Sequence, residues 1–449
     1  MSTDTSVQEI ESTPERSIDE TGEPILEVSG LKKHFEESEG LFDRIFGDID
    51  YIKAVDGVDL EIQPGETLAV VGESGCGKST LAHTILNLHE PTDGTITFKG
   101  DDITGLSRGD MRPYRRQMQL IFQDPLSSLN PRQTVGDILR APMEVHDIGE
   151  STEDRTERAG ELLEEVGLSS SHLDRYPHQF SGGQQQRIGL ARALTVEPDL
   201  LVADEPVSAL DVSVQSQVLN LFSDLQDRYG LSMIFIAHDL SVVRHIADRV
   251  AVMYLGEVVE TAPVDKLFND PKHPYTKSLI SAVPRIDPAK RADRVILRGS
   301  VPSPIDPPAG CRFHTRCPSI IPPDDWPGDQ EAFRNAFTFR SRIEEGKIEP
   351  EAVRTRIKTR GDTSDQSVVD RIIETELPTE LDRLPASTAD AVEEAARHVV
   401  EDDLERAVEV ITDALPSPCV DENPEFTHVG DRKTACHRIN PDKNYRELL

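Results

Sequence analysis

The chain has 449 residues, with 82 Asp and Glu against 48 Lys and Arg and a formal net charge of −34. That balance excludes a generic nucleic-acid binder, whose affinity for phosphate comes from clustered Lys and Arg. A 37% hydrophobic content allows packed cores, and the length suggests about two to four domains. No apolar run reaches the ~18 residues of a spanning helix, and Met1 to Glu23 lacks the apolar core of a signal peptide. The chain is therefore expected to stay in the cytoplasm.

Residues 1–24 are acidic, rich in Ser and Thr, and read as a disordered tail. Ile25, Leu26, Val28 and Leu31 predict an opening strand, and Ala54 to Ile62 alternates like a second. Pro64-Gly65 is a turn signal. The run Thr67–Val71 (TLAVV) suits a strand buried on both faces of a sheet. Residues 152–167 read as an amphipathic helix. Leu200 to Ala203 and Met233 to Ala237 read as further buried strands. This alternation, from 25 to about 265, predicts an α/β domain around a largely parallel sheet. Pro then becomes frequent (Pro271, Pro274, Pro284, Pro288, Pro302, Pro304), which suggests a separate loop-rich module. Residues 319–415 are helical in pattern and carry 24 acids against 12 bases. Their clearest amphipathic stretch is 388–415.

The strongest chemical signal is Gly72-Glu73-Ser74-Gly75-Cys76-Gly77-Lys78-Ser79-Thr80, directly after the buried strand and before a helix expected near Thr80. It satisfies G-x-x-x-x-G-K-[ST]. The glycines let backbone N–H groups close around phosphate oxygens, and the helix N-terminus adds positive partial charge. Lys78 is expected to reach the β and γ phosphates, and Ser79 to ligate Mg²⁺. The second signal is Asp199-Leu200-Leu201-Val202-Ala203-Asp204-Glu205, an apolar strand ending in two acids. Asp204 would hold Mg²⁺, and Glu205 could polarise the attacking water as a general base.

Between these lies Ser181-Gly182-Gly183-Gln184, and here the chain resembles the ATP-binding-cassette (ABC) ATPases. Gln123 matches that family's Q-loop, Ser208-Ala209-Leu210-Asp211 its D-loop, and His238 its switch histidine, all in the family's order. The resemblance implies a RecA-like core with a helical subdomain. It also implies two cassettes paired head to tail, with ATP on Lys78 and Ser79 of one capped in trans by Ser181 and Gly183 of the other. It gives His238 the γ-phosphate, and Gln123 the Mg²⁺ or water and the coupling to a membrane partner. Adenine needs a stacking aromatic. Phe35 stands where the family places it, and Tyr51 is the alternative because residues 36–50 look inserted.

Finer features look like the oligopeptide/dipeptide importer ATPases. They are Phe122-Gln123-Asp124-Pro125, Asn130-Pro131-Arg132, His273-Pro274-Tyr275-Thr276 and Gly310-Cys311-Arg312-Phe313-His314-Thr315-Arg316-Cys317-Pro318. The wording is closer to the second of that family's two ATPase subunits. The resemblance implies a related ATPase mate, two integral permease subunits and an extracytoplasmic solute-binding protein. It places the chain on the cytoplasmic face of the membrane, with no nucleic acid. Nickel and some sugar importers share the architecture, so the solute stays open. A soluble ABC ATPase of repair or translation and an exporter half are the competing classes. The first lacks this C-terminal module, and the second usually fuses a spanning domain to the cassette.

Of five cysteines, Cys76 sits in the phosphate loop as a tolerated small residue. Cys311, Cys317, Cys419 and Cys436 lie in the C-terminal third. Four thiolates suit an iron–sulfur cluster or zinc; the plain alternative is four reduced thiols. In the family a similar module can hold a [4Fe–4S] cluster, with its second and third cysteines close together. Here residues 318–418 separate them. The module is thus expected over 266–318 and 416–449, with 319–415 as an insertion, either a solvated helical decoration or a partner's docking surface. Finally, the 48 basic residues divide into 13 Lys and 35 Arg. High acid with scarce Lys resembles proteins of salt-accumulating organisms, where molar salt screens self-repulsion.

Overall fold

The computed structural model describes residues 22–37, 50–124, 128–283, 295, 297, 299–357 and 364–440. The tail assigned to 1–24, most of the insertion before Tyr51, and Pro125 lie largely or wholly outside them.

β1 (Leu26–Glu37) and β2 (Asp50–Ile62) pair antiparallel. β3 (Thr67–Val71) leads through the phosphate loop into α1 (Lys78–Ile85). That helix begins two residues before the expected Thr80. β4 (Asp93–Phe98) pairs with the other side of β1, and β5 (Asp101–Asp102) extends it. The result is a separate four-stranded antiparallel sheet, β2-β1-β4-β5. The alternation of the sequence had not separated it from the parallel one.

After α2 (Arg112–Gln117) come β6 (Met118–Ile121) and three helices, α3 (Val135–Val145), α4 (Thr152–Glu165) and α5 (Gly182–Leu194). Each of these three starts with a capping box: Thr134 with Asp137, Ser151 with Asp154, Ser181 with Gln184. Such reciprocal bonds satisfy two orphan N–H groups and define where a helix begins. β7 (Leu200–Asp204), α6 (Val212–Tyr229), β8 (Ser232–Ala237), α7 (Leu240–Ile246), β9 (Arg249–Tyr254) and β10 (Glu257–Pro263) complete the cassette. Strands β6, β7, β8, β3 and β9 lie side by side and parallel, and β10 turns back antiparallel.

The inner parallel strands β3, β7 and β8 are buried on both faces. In β3, Leu68 and Val70 enter one core while Ala69 and Val71 enter the other; Leu200 and Val202 of β7 divide from Leu201 and Ala203 in the same way. Period-two alternation between two apolar cores explains why these strands read as continuous apolar runs. It also holds the loops at their C-terminal ends, where the site lies.

Beyond β10, α8 (Val264–Asn269) and α9 (Pro274–Ser281) pack on the cassette. The described residues of 319–415 form α10 (Gln330–Glu344), α11 (Pro350–Ile357), α12 (Asp365–Glu376), α13 (Ala386–Val400) and α14 (Leu404–Ala414). The expected single stretch 388–415 is thus two helices. The acidic run Glu401-Asp402-Asp403 breaks it: Asp402 takes φ +65°, and Asp403 caps α14. These helices are more than a solvated decoration. They bury Phe333, Phe337 and Phe339 in a core that also takes in Ile320, Ile321 and Cys419. Arg438 ties the insertion to the module, donating to Ser319 O at 2.7 Å and Gln330 Oε1 at 3.0 Å. The chain then returns as β11 (Phe426–Val429) and β12 (Arg432–Ala435), which extend the main sheet from β10.

Trp326, the one tryptophan in the sequence, packs edge-on against Phe333 with ring centroids 4.9 Å apart. Its fluorescence therefore reports on this helical core. Phe337→Ala should destabilise that core by about 3–5 kcal/mol, read as an earlier urea midpoint of the Trp326 signal. An unchanged midpoint would mean that the helices are not packed as a unit.

Candidate functional site

The phosphate loop is shaped by close backbone approach. A Cβ on Gly72 would lie 2.1 Å from Met253 O, and one on Gly77, at φ +104°, would lie 1.9 Å from Ala54 O. Only glycine fits either place. Within the loop, Lys78 Nζ donates to Gly72 O at 3.0 Å and Glu73 O at 3.1 Å. Ser79 Oγ lies 3.1 Å from Asp204 Oδ1, so the hydroxyl and the acid meet where a divalent cation would sit. Burial pushes the Asp204 carboxyl above the usual range, offset in part by the Ser79 bond. A cation there would relieve that cost. Cys76 is buried, and its thiol is pushed up by desolvation, which agrees with a packing role.

The two acids at the end of β7 part company. Asp204 is buried at the strand end, while Glu205 takes a left-handed conformation at φ +44° and lines the cavity beside Lys78 and Ser79. Gln123 Nε2 donates to Glu205 Oε2 at 3.1 Å, and His238 Nδ1 lies 2.9 Å from the same oxygen. The three side chains arrive from the ends of β6, β7 and β8. They share a cavity of about 660 Å³ with Ser74, Gly75, Gly77, Lys78, Ser79 and Thr80. Phe35 lines the same cavity. Tyr51 does not; it is 42% exposed.

Two expected groups lie elsewhere. Ser181 and Gln184 cap α5, and Asp211 caps α6 through Val214 N at 3.1 Å. Gly183 is wedged against α6: a Cβ there would lie 2.4 Å from Val214 Cγ1. None of Ser181, Gly182, Gly183, Gln184 or Asp211 lines the cavity. Glu73 lies in the phosphate loop, but its side chain turns away from the cavity to meet Arg316 at 2.6 Å. That contact, and Pro304 in the cavity wall, were not anticipated. No local pattern marks either, because both partners are distant in the chain.

Cys311, Cys317, Cys419 and Cys436 line one small cavity with His273, His314, His437 and Arg438. Burial pushes the Cys311 and Cys317 thiols far up and that of Cys436 up to about 11; the neighbouring cysteines add to each rise. Among the described residues, no group of three or more His, Cys, Asp or Glu is set to hold a metal ion.

The sequence matches known families. Residues 55–208 match the model of the ABC transporter family, and 259–322 match the oligopeptide/dipeptide transporter C-terminal region. Residues 330–432 match a domain of unknown function. The oligopeptide transport ATP-binding protein AppF of Bacillus subtilis (strain 168) is 52% identical over 303 residues, 67% of this chain and 91% of that protein. The chain belongs to the ABC transporter ATP-binding proteins. A putative oligopeptide transport ATP-binding protein, YkfD, of the same organism is 50% identical over 301 residues, covering 67% and 89%. A putative peptide import ATP-binding protein of Brucella ovis is 52% identical over 301 residues, covering 67% and 92%. This ABC ATPase therefore has the nucleotide-binding cassette and the transporter-type C-terminal region of its relatives. Among the described residues no helix is long and apolar enough to cross a membrane.

Proposed function

We propose that this chain hydrolyses ATP to drive import of di- and oligopeptides through separate permease subunits. The observation that carries the reading is Glu205, held by Gln123 and His238 at a cavity it shares with Lys78 and Ser79. Lys78 and the N–H groups of Gly72 to Thr80 take the phosphates, and Phe35 stacks on adenine. Ser79, Asp204 and Gln123 are the residues that would hold Mg²⁺, which would supply positive charge against the phosphates. Glu205 accepts the proton of the attacking water, and His238 contacts the γ-phosphate.

Ser181, Gly182, Gly183, Gln184 and Asp211 serve the cavity of a second, related ATPase subunit. Two permease subunits hold the pair to the cytoplasmic face of the membrane, and an extracytoplasmic binding protein delivers the solute. A groove of about 440 Å³ supports this. It is walled by Met118, Leu120, Phe122, Ala141 and Pro142, so a permease helix seated there would press on Phe122, the chain neighbour of Gln123. For the four cysteines we propose a [4Fe–4S] cluster on the ground that they line one cavity, although their thiols are not gathered into a ready metal site in this structure. Such a cluster would brace the module, because hydrolysis moves no electrons.

The test is ATPase activity of the complex purified with its permeases, binding protein and candidate solutes in molar KCl. Peptides should stimulate it, and the same preparation should contain iron and acid-labile sulfide. Stimulation by nickel or a sugar would overturn the cargo. Rapid turnover by a chain that captures no permease would overturn the transport role. Zinc, or thiols free of metal, would overturn the cluster.

A further inference from the structure

Glu73 is held at all three of its polar groups. Its carboxylate meets Arg316 in a two-pronged ion pair, Nη1 to Oε2 at 2.6 Å and Nη2 to Oε1 at 3.1 Å. Its N–H donates to the Tyr275 hydroxyl at 2.9 Å. Its carbonyl accepts from Lys78 Nζ at 3.1 Å. The first two partners come from the C-terminal module, and the third is the phosphate lysine itself. Gly72 and Gly77 are pinned by the backbone of β9 and β2. Glu73 is therefore the residue through which the rest of the loop can be moved from outside.

Arg316 is well placed for that grip. It is 7% exposed and closes a short turn, His314–Arg316, between Cys311 and Cys317. Cys311 N donates to Cys419 O at 2.9 Å, which ties this turn to the far pair of cysteines. The Arg316 guanidinium also reaches the Tyr254 hydroxyl at 3.4 Å, and Tyr254, Tyr275 and Phe313 pack ring against ring. A second contact joins the same module to the other wall of the cavity. Lys53 N donates to Pro304 O at 3.0 Å, and Pro304 lines the cavity. Nearby, Arg312 pairs with Asp56 of β2 and with Glu257.

A buried ion pair is a poor way to gain stability, since apolar residues of the same volume often do as well. It is a good way to fix one geometry, because a two-pronged pair sets orientation as well as distance. We infer that Arg316 is a positioning residue for the nucleotide: through Glu73 it sets the loop shape that receives phosphate, so the C-terminal module sets the affinity for ATP. The inference rests on the reading of this cavity as the ATP site.

The experiment measures KM for ATP and kcat in the assembled transporter, and binding of a fluorescent ATP analogue to the full chain. Arg316→Gln should raise KM and the analogue's Kd about ten-fold while kcat changes less than about two-fold. Glu73→Gln should do the same from the more exposed end of the pair. The double variant should be no worse than either single one, and Arg316→Lys, which keeps the charge but not the fork, should recover only part of the loss. Full additivity of the two losses, or a fall in kcat at constant KM, would overturn the inference. Should Arg316→Gln not fold, Glu73→Gln decides alone: unchanged affinity overturns it. Lys78→Ala separates the two readings, because a chain that still binds ATP after that change has its ATP site elsewhere.

Discussion

Glu205→Gln should stop ATP turnover and leave ATP bound. Glu205 Oε2 is the point on which Gln123 and His238 converge. An amide keeps the shape of that contact but cannot accept a proton. General-base catalysis contributes about 10²–10⁴-fold, so steady-state hydrolysis should fall by about that factor. Affinity should hold, because Lys78, Ser79 and the loop N–H groups are untouched. The backbone makes the case stronger. Glu205 is held at φ +44°, a region that costs about 1–3 kcal/mol for a residue with a side chain. Its N–H donates to Ile236 O at 3.1 Å, and its carbonyl accepts from Ser208 Oγ at 3.0 Å. Strain that is held this firmly aims the carboxylate at the cavity. Equilibrium ATP binding and single-turnover hydrolysis check the result. Turnover within ten-fold of the parent would remove Glu205 from the chemistry.

The parts of the site that were legible share a physical reason. A phosphate loop is local: strand, glycines, lysine and helix follow one another within fourteen residues, from Thr67 to Thr80. The same holds for β7 and its terminal acids, since a strand buried on both faces leaves an apolar run. What was not legible is joined across the chain. Glu73 and Arg316 are 243 residues apart, and neither position differs locally from an exposed charge. The four-stranded antiparallel sheet was missed because β1 and β2 alternate like any half-buried strand. Only register shows that they pair with β4 and not with the parallel strands. In the insertion, the excess of acid on the outer surface masks the apolar inner face. Phe333, Phe337 and Arg340 stand at helical spacing on that face, and all three are buried. The break at Glu401 to Asp403 needs a left-handed Asp402, which periodicity alone does not reveal.

Ser181→Arg should abolish transport-coupled hydrolysis without weakening ATP binding by the isolated chain. Ser181 is exposed at the N-terminus of α5, where its hydroxyl accepts from Gln184 N at 3.4 Å. A helix start is an anion site by geometry and by partial charge. Yet this one lines none of the chain's own cavity. The D-loop shares its situation. Leu210 Cδ2 would lie 3.7 Å from a Cβ on Gly182, and Val214 fills the space beside Gly183. The starts of α5 and α6 thus form one surface, with phosphate-binding chemistry and no phosphate site of their own chain beneath it. On the proposed reading, a second cassette with its own phosphate loop would complete that surface. Arginine at position 181 adds bulk where the γ-phosphate of the partner's ATP would approach, so hydrolysis by the assembled transporter should fall at least about 100-fold, the scale of losing one preorganised donor. Fluorescent ATP-analogue binding to the isolated chain should not change. A parallel loss of that binding would place Ser181 in the chain's own site and remove the argument for a paired cassette.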